Sequence, residues 1–89
     1  MTEEFVKDPD AILDYEFDWT RWLGDDTISS VVITVPTGIV KDQSSNTTKK
    51  VTVWLSGGTA GSMYLIACRI TTAAGRTDER TIRINCSDK

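Results

Sequence analysis

Residue types that commonly carry chemistry are few in this chain of 89 residues. It has no histidine, which removes the most frequent general base, a common zinc ligand and the central residue of serine triads. Its two cysteines, Cys68 and Cys86, fall at positions that are expected to face a core, without the basic activator that a reactive thiolate requires. We therefore predict that the protein has no catalytic residues and is not an enzyme.

Cofactor and metal sites are not expected either. Gly57, Gly58 and Gly61 lack the Gly-Lys-Ser/Thr or Gly-x-x-Gly continuation with which glycine-rich loops hold phosphate. The N-terminal region has several closely spaced carboxylates, but their spacing matches no calcium loop, and alternate strand positions direct them to solvent. These residues are Asp8, Asp10, Asp14, Glu16 and Asp18. The sequence therefore predicts no bound cofactor and no metal.

The net charge of −3 conceals an uneven distribution. Residues 1–26 contain nine acidic and two basic side chains, a net charge of −7, whereas residues 27–89 contain four acidic and eight basic ones, a net charge of +4. Such a chain either neutralises itself or pairs head to tail with a copy of itself or a neighbour. The basic half has no long positive run, so nucleic acid is not expected as a partner. No apolar run approaches the ~20 residues of a membrane helix, and no secretory signal is present, so we expect synthesis in the cytosol and no membrane contact.

Period-two alternation of apolar and polar residues predicts about six or seven short strands. The first four are residues 12–17, 27–35 (with a bulge near Ser29 and Ser30), 39–41 and 49–56, and a polar loop follows the third at residues 42–48. One short helical turn near residues 18–24 would place Trp19, Trp22 and Leu23 on one side, either as a hydrophobic plug or as a ligand-binding aromatic pair. We predict an immunoglobulin- or fibronectin-III-like Greek-key β-sandwich at residues 11–87, preceded by an extended N-terminal arm at residues 1–10.

The last two strands should form a long hairpin, with residues 73–76 as its turn and Gly75 in the left-handed region. The simplest register pairs Ile66 with Ile84 and Cys68 with Ile82. Cys86 then lies about 13 Å from Cys68 along the strands, beyond disulfide reach, so both thiols should be reduced. Tyr64 is placed to donate or accept a hydrogen bond at a backbone group a few residues upstream. Of the six strands from residue 12 onward, we assign the first, second and fourth to one sheet and the third, fifth and sixth to the other.

Three segments of the chain resemble the phage fiber-tail adaptor proteins, which are small virion proteins of tailed bacteriophages. They read KDPDAILDYEFDWTRWLGDDTI, VTVWLSGG and AGSMYLIACRITTAAGRTDERTIRI, and the similarity covers about residues 7–84. Its most specific parts are Asp-Trp-x-x-Trp-Leu at residues 18–23 and Thr-Thr-Ala-Ala-Gly-Arg-Thr-Asp at residues 71–78. The resemblance implies a structural protein of the virion tail that connects tail fibers, or another receptor-binding part, to the tail.

The partners expected from this resemblance are other tail proteins (tail tube, nozzle or adaptor ring, and tail fiber), with assembly in the host cytoplasm. The charge asymmetry also suits a ring of copies. We predict that docking uses apolar and arginine side chains on the arm, on the outward side of residues 49–56 and on the hairpin: Phe5, Val6, Trp54, Met63, Leu65, Arg69 and Arg83. Trp54 is either covered by the chain itself or an interface anchor. The alternatives are a carbohydrate- or surface-binding module, in which Trp19, Trp22 or Trp54 would stack on sugar, and a head decoration protein.

Overall fold

The computed structural model describes residues 3–87, and these form seven strands and one short helix. The elements are β1 (Glu3–Lys7), β2 (Leu13–Asp18), α1 (Thr20–Leu23), β3 (Ile28–Thr34), β4 (Ile39–Asn46), β5 (Lys50–Gly57), β6 (Met63–Thr72) and β7 (Thr77–Cys86). One sheet has the strand order β1-β7-β6-β3 and the other has the order β2-β5-β4. The predicted all-β sandwich is confirmed. The helix is far too short to cross a membrane, and no other helix lies in residues 3–87.

The hairpin of β6 and β7 buries alternate side chains, as its sequence predicts. Tyr64, Ile66, Ile82 and Ile84 are buried between the sheets, and the residues between them on each strand face outward. The predicted pairing is wrong by two residues, because Ile66 lies opposite Ile82 and Tyr64 lies opposite Ile84, while Cys68 lies opposite Arg80. The predicted inner and outer sides of both strands were nevertheless correct, because a shift of two residues keeps every side chain on the same side of the sheet.

The turn explains the observed register. The backbone N–H of Thr72 donates to the carbonyl oxygen of Arg76 at 2.8 Å, and the backbone N–H of Arg76 donates to the Thr72 hydroxyl at 3.0 Å. These bonds close a loop of three residues that ends in Gly75, whose φ of 89° lies in the left-handed region, as predicted. A glycine in this position is typical of three-residue hairpin loops.

The predicted assignment of strands to sheets is wrong for β3 and β4. β3 pairs with β6 in the four-stranded sheet, and β4 pairs with β5 in the three-stranded sheet. Alternation shows which side of a strand is buried but not which sheet the strand joins, and the turn at residues 36–38 carries the chain from one sheet to the other. The predicted bulge is confirmed by the register shift between Ile28 and Ser30. The predicted polar loop is wrong for residues 42–46, which continue β4 as an exposed edge strand.

Of the predicted N-terminal arm, residues 3–7 belong to the four-stranded sheet as β1, and residues 9 and 10 lie in a turn. β1 runs parallel to β7, from Glu3 opposite Ile82 to Lys7 opposite Cys86. Phe5 faces the other sheet, where its ring centroid lies 5.0 Å from that of Tyr15. Through this pairing, β1 docks on its own domain.

Two predicted details of the core are confirmed. The backbone N–H of Thr59 donates to the Tyr64 hydroxyl at 3.0 Å, which ties the start of β6 to the preceding loop. Cys68 and Cys86 are both buried free thiols. In the observed register they lie further apart along the strands than predicted, so they fill space rather than cross-link.

Candidate docking surfaces

The outer side of the four-stranded sheet carries most of the residues that the sequence singled out for docking. We call it the hairpin face and define it as Val6, Met63, Leu65, Arg69 and Arg83. All five are exposed, and the three apolar ones are large hydrophobic residues with 51%, 47% and 47% of their surface accessible. Large apolar side chains at this exposure are isolated on most monomers, so a group of them indicates a contact surface.

Strand pairing places the three apolar residues, which we call the apolar cluster, in two adjacent rows of the four-stranded sheet. Val6 and Met63 lie on either side of Asn85, in one row across β1, β7 and β6. Leu65 follows in the next row, directly opposite Arg83. A shallow groove that Pro36 helps to line runs beside Met63 and Leu65. The apolar cluster therefore spans three strands, with Asn85 of β7 between Val6 and Met63.

Both arginines of the hairpin face have acidic partners within the chain. Arg83 Nη1 lies 3.1 Å from a carboxylate oxygen of Glu4, and Arg69 Nε lies 3.4 Å from one of Glu79. All four side chains are about half exposed, and ion pairs of this kind contribute little to stability. They can therefore exchange partners when another protein binds. Arg83 borders the apolar cluster, whereas Arg69 lies four residues further along β6, at the margin of the face.

The other two predicted docking residues lie elsewhere. Phe5 is half-buried on the inner side of β1 and packs against the core. Trp54 lies on the outer side of the three-stranded sheet, the opposite surface of the sandwich, between Asp14 on β2 and Gln43 on β4. It is half-buried.

The end of the sandwich near the β6–β7 turn is closed by Trp19 and Arg80. Trp19 is fully buried, and its indole N–H donates to Asp78 Oδ2 at 2.9 Å. The guanidinium of Arg80 lies 4.8 Å from the centre of the Trp19 ring and donates to the carbonyl oxygen of Asp18. The plug interpretation of this aromatic residue is confirmed, because no face of the Trp19 ring is open to a ligand.

Asp26 connects the loop after α1 to the β6–β7 turn. Its carboxylate accepts hydrogen bonds from the backbone N–H groups of Thr27 and Ala74, and its Oδ2 lies 3.1 Å from Arg76 Nε. Hydrogen bonding to the Thr72 side chain is the main cause that lowers the pKa of Asp26 to about 2. The backbone donors and Arg76 also lower this pKa. Arg76 in turn donates to the carbonyl oxygen of Leu23 at 3.1 Å.

The segments that these contacts join are residues 18–23 and 71–78, the most specific parts of the resemblance. A family model described as podophage GP4 fiber-tail adaptor protein gp77 matches residues 7–85. The chain belongs to this family. A search of curated proteins found no match. Membership indicates a structural role in a phage tail and a location in the virion, and the family is a class of adaptor proteins rather than of enzymes.

Ionisable groups inside this adaptor fold are held in unreactive states. Burial raises the pKa of the Cys68 thiol to about 12, so the thiol remains protonated at neutral pH. Burial also raises the pKa of Tyr15, whose hydroxyl has no hydrogen-bond partner within residues 3–87. Within residues 3–87, no group of three or more histidine, cysteine, aspartate or glutamate side chains is arranged to hold a metal ion.

Sequence reasoning missed one buried residue of this adaptor fold. Lys7 is completely buried, and its ammonium group donates to the carbonyl oxygens of Asp8 at 2.9 Å and Gly57 at 2.8 Å. A lysine is rarely buried, so hydropathy directed attention away from it. The available signal was its alternation with Phe5, which places both residues on the inner side of a strand.

Proposed function

We propose that this protein is a structural adaptor that connects tail fibers, or another receptor-binding part, to the phage tail by docking through its hairpin face. The observation that carries the proposal is the apolar cluster of Val6, Met63 and Leu65 on the outer side of the four-stranded sheet. Burying an exposed apolar side chain yields roughly 25 cal/mol for each Å² removed from water, so a protein partner gains by covering the cluster.

The chemistry of the face indicates what a partner must present. An apolar surface would cover Met63 and Leu65, and an acidic or basic side chain beside it would pair with Arg83 or Glu4 after their mutual ion pair opens. We further propose that the partners are other tail proteins (tail tube, nozzle or adaptor ring, and tail fiber), that several copies act together in a ring, and that assembly takes place in the host cytoplasm. These assignments rest on the family and on the uneven charge of the chain.

The alternative of a carbohydrate-binding module has less support. Trp19 is buried and Trp22 lies beneath Arg76, so only Trp54 offers part of a ring to a sugar. The alternative of a head decoration protein has no supporting contact, and the family is one of tail proteins.

The test is a pair of matched substitutions in the phage. Leu65→Asp places a charge at the centre of the apolar cluster, and Val32→Asp places the same charge at another exposed apolar position of the same sheet, 60% accessible and opposite Arg69. We expect both purified variants to keep the circular dichroism spectrum and melting behaviour of the parent. Particles with Leu65→Asp should lose fibers in electron micrographs, and those with Val32→Asp should retain them.

Normal fiber attachment by a folded Leu65→Asp variant would refute docking through the apolar cluster. Loss of fibers in both variants would move the centre of the contact towards Arg69. Deleting residues 1–10 is a less useful test, because it also removes β1, the half-buried Phe5 and the buried Lys7.

A further inference from the structure

Two of the three tryptophans form the same arrangement with an arginine and an aspartate. At Trp22, the guanidinium of Arg76 lies 4.3 Å from the ring centre, and its Nε lies 3.1 Å from Asp26 Oδ2. Such a guanidinium is attracted both by the electron-rich face of the ring and by the carboxylate, and the two attractions act on one group.

The second set repeats this chemistry at Trp19. The guanidinium of Arg80 lies 4.8 Å from the ring centre, and its Nε lies 3.8 Å from Asp78 Oδ2. In both sets, therefore, an arginine lies over a tryptophan and beside an aspartate.

The third tryptophan has the aspartate but not the arginine. Asp14 is directly opposite Trp54 in the pairing of β2 with β5, so both side chains lie on the outer side of the three-stranded sheet. Within residues 3–87 the Asp14 carboxylate has no ion pair, and no cation lies over the Trp54 ring. The next carboxylate along that face, Glu16, is 3.8 Å from Lys50.

One arginine is correspondingly without a partner. Four of the five arginines pair with a carboxylate, namely Arg69, Arg76, Arg80 and Arg83. Arg21, the fifth, is exposed on α1, and its side chain makes no ion pair, hydrogen bond or ring contact with residues 3–87. It shares a surface groove with Lys50, which lies four residues from Trp54 on β5, about 13 Å away. The Trp54 of its own chain does not line this groove.

We infer that Arg21 of a second copy lies over Trp54 and pairs with Asp14. This contact completes the third arrangement with the one arginine that the chain leaves unused. Each copy offers one arginine and one Trp54–Asp14 pair, so the contact forms either reciprocally in a dimer or head to tail along a series of copies. It also joins a cation to the strongly acidic N-terminal part of the chain.

This contact and the hairpin face lie on opposite sheets, so one copy can make both contacts at once. The inference does not rest on docking through the hairpin face, and it deepens the proposal that several copies act together. Leu65→Asp tests fiber attachment without altering Arg21 or Trp54, and self-association of the purified protein tests the contact without fibers. Either can fail while the other holds.

The experiment measures self-association of the full chain by sedimentation equilibrium from micromolar to millimolar concentration. Arg21→Ala and Trp54→Ala should each weaken association about tenfold, which is the loss of one cation–π contact with its ion pair. Lys41→Ala, which removes an exposed cation that belongs neither to this contact nor to the hairpin face, should leave association unchanged. Circular dichroism checks that each variant is folded, and Trp54→Phe serves as the milder variant if Trp54→Ala is not.

Two further measurements separate this contact from other surfaces. The double variant Arg21→Ala/Trp54→Ala should associate as weakly as either single variant, because both changes remove the same interaction. A mixture of the two single variants should associate more tightly than either alone, since each retains the half that the other lacks. A monomeric wild-type protein at millimolar concentration, additive losses or an unaffected Arg21→Ala variant would overturn the inference, and loss with Trp54→Ala alone would assign Trp54 to a different partner.

Discussion

Gly58→Ala tests how the loop before β6 packs against Cys86 at the end of β7. Gly58 follows β5 and has a φ of +98°, a conformation that residues with a Cβ rarely adopt. A Cβ at this position would overlap the Sγ of Cys86 and lie 3.5 Å from Cε2 of Tyr64. The substitution therefore combines an unfavourable backbone conformation with a clash inside the core.

The expected cost is the sum of these two effects. A left-handed conformation costs an ordinary residue about 1–2 kcal/mol. Inserting a methyl group into a packed core costs about 1–3 kcal/mol. We expect Gly58→Ala to lower the free energy of unfolding by about 3 kcal/mol, a large share of the roughly 5–15 kcal/mol that stabilises most domains.

Urea unfolding followed by tryptophan fluorescence measures this loss, and Gly61→Ala is the matched control. Gly61 has a similar φ of +86°, but a Cβ there would meet nothing within 4 Å, so only the backbone cost of about 1–2 kcal/mol should remain. In the double variant Gly58→Ala/Cys86→Ala, removal of Sγ should recover the part that comes from the clash. Equal losses at the two glycines, or no recovery in the double variant, would refute the packing argument.

Two further perturbations test the tryptophan-containing end of the sandwich. Between pH of about 4 and about 2 the protein should lose the stabilising contribution of Asp26, because its pKa is about 2 when folded and 3.8 in its ordinary state. Because the pKa of Asp26 is lower in the folded protein than in the unfolded one, its stabilising contribution is complete above the unfolded pKa and disappears as the pH falls through the folded pKa. Asp26→Asn should therefore flatten this part of a plot of urea midpoint against pH. Trp19→Phe should lower the free energy of unfolding by about 3 kcal/mol, since it opens a cavity and removes the donor to Asp78, whereas Trp22→Phe, at a half-buried position, should cost about 1 kcal/mol. Unfolding followed by circular dichroism compares the two, and equal losses would contradict the role given to the indole N–H of Trp19.

Local patterns in the sequence were sufficient to predict the faces of the strands. The alternation from Tyr64 to Ile70 identifies the inner side of β6 without knowledge of its neighbours, because successive side chains of any strand point to opposite sides. The hydrogen bond of the Tyr64 hydroxyl was predictable for a similar reason, since its partner lies only five residues upstream. Met63 and Leu65 were recognised as outward by the same alternation, whereas Val6 was named with Phe5 only as an apolar residue of the N-terminal arm.

These local patterns could not predict which distant strands pair with each other. β1 lies beside β7, although about 80 residues separate them along the chain, and the register places the cationic Lys7 opposite Cys86 in the interior. Only the backbone carbonyls that surround its ammonium group make this burial possible. The hairpin register could have been obtained from the sequence by treating residues 73–75 as a three-residue loop with Gly75 last, which pairs Thr72 with Arg76.

The residues that carry the family resemblance most specifically hold the chain together, apart from the exposed Arg21, to which we assign a contact with a second copy. Trp19 at residues 18–23 bonds to Asp78 at the end of residues 71–78, and both segments lie at the closed end of the sandwich. The apolar cluster of the hairpin face and the Trp54–Asp14 pair lie outside these two segments. Membership in the adaptor family rests on a match over residues 7–85, whereas the choice of partner depends on exposed residues that can differ between proteins sharing that fold. On this argument, exchanging Val6, Met63 and Leu65 between two members should transfer partner preference, while exchanging residues 18–23 with Arg21 kept in place should affect only stability.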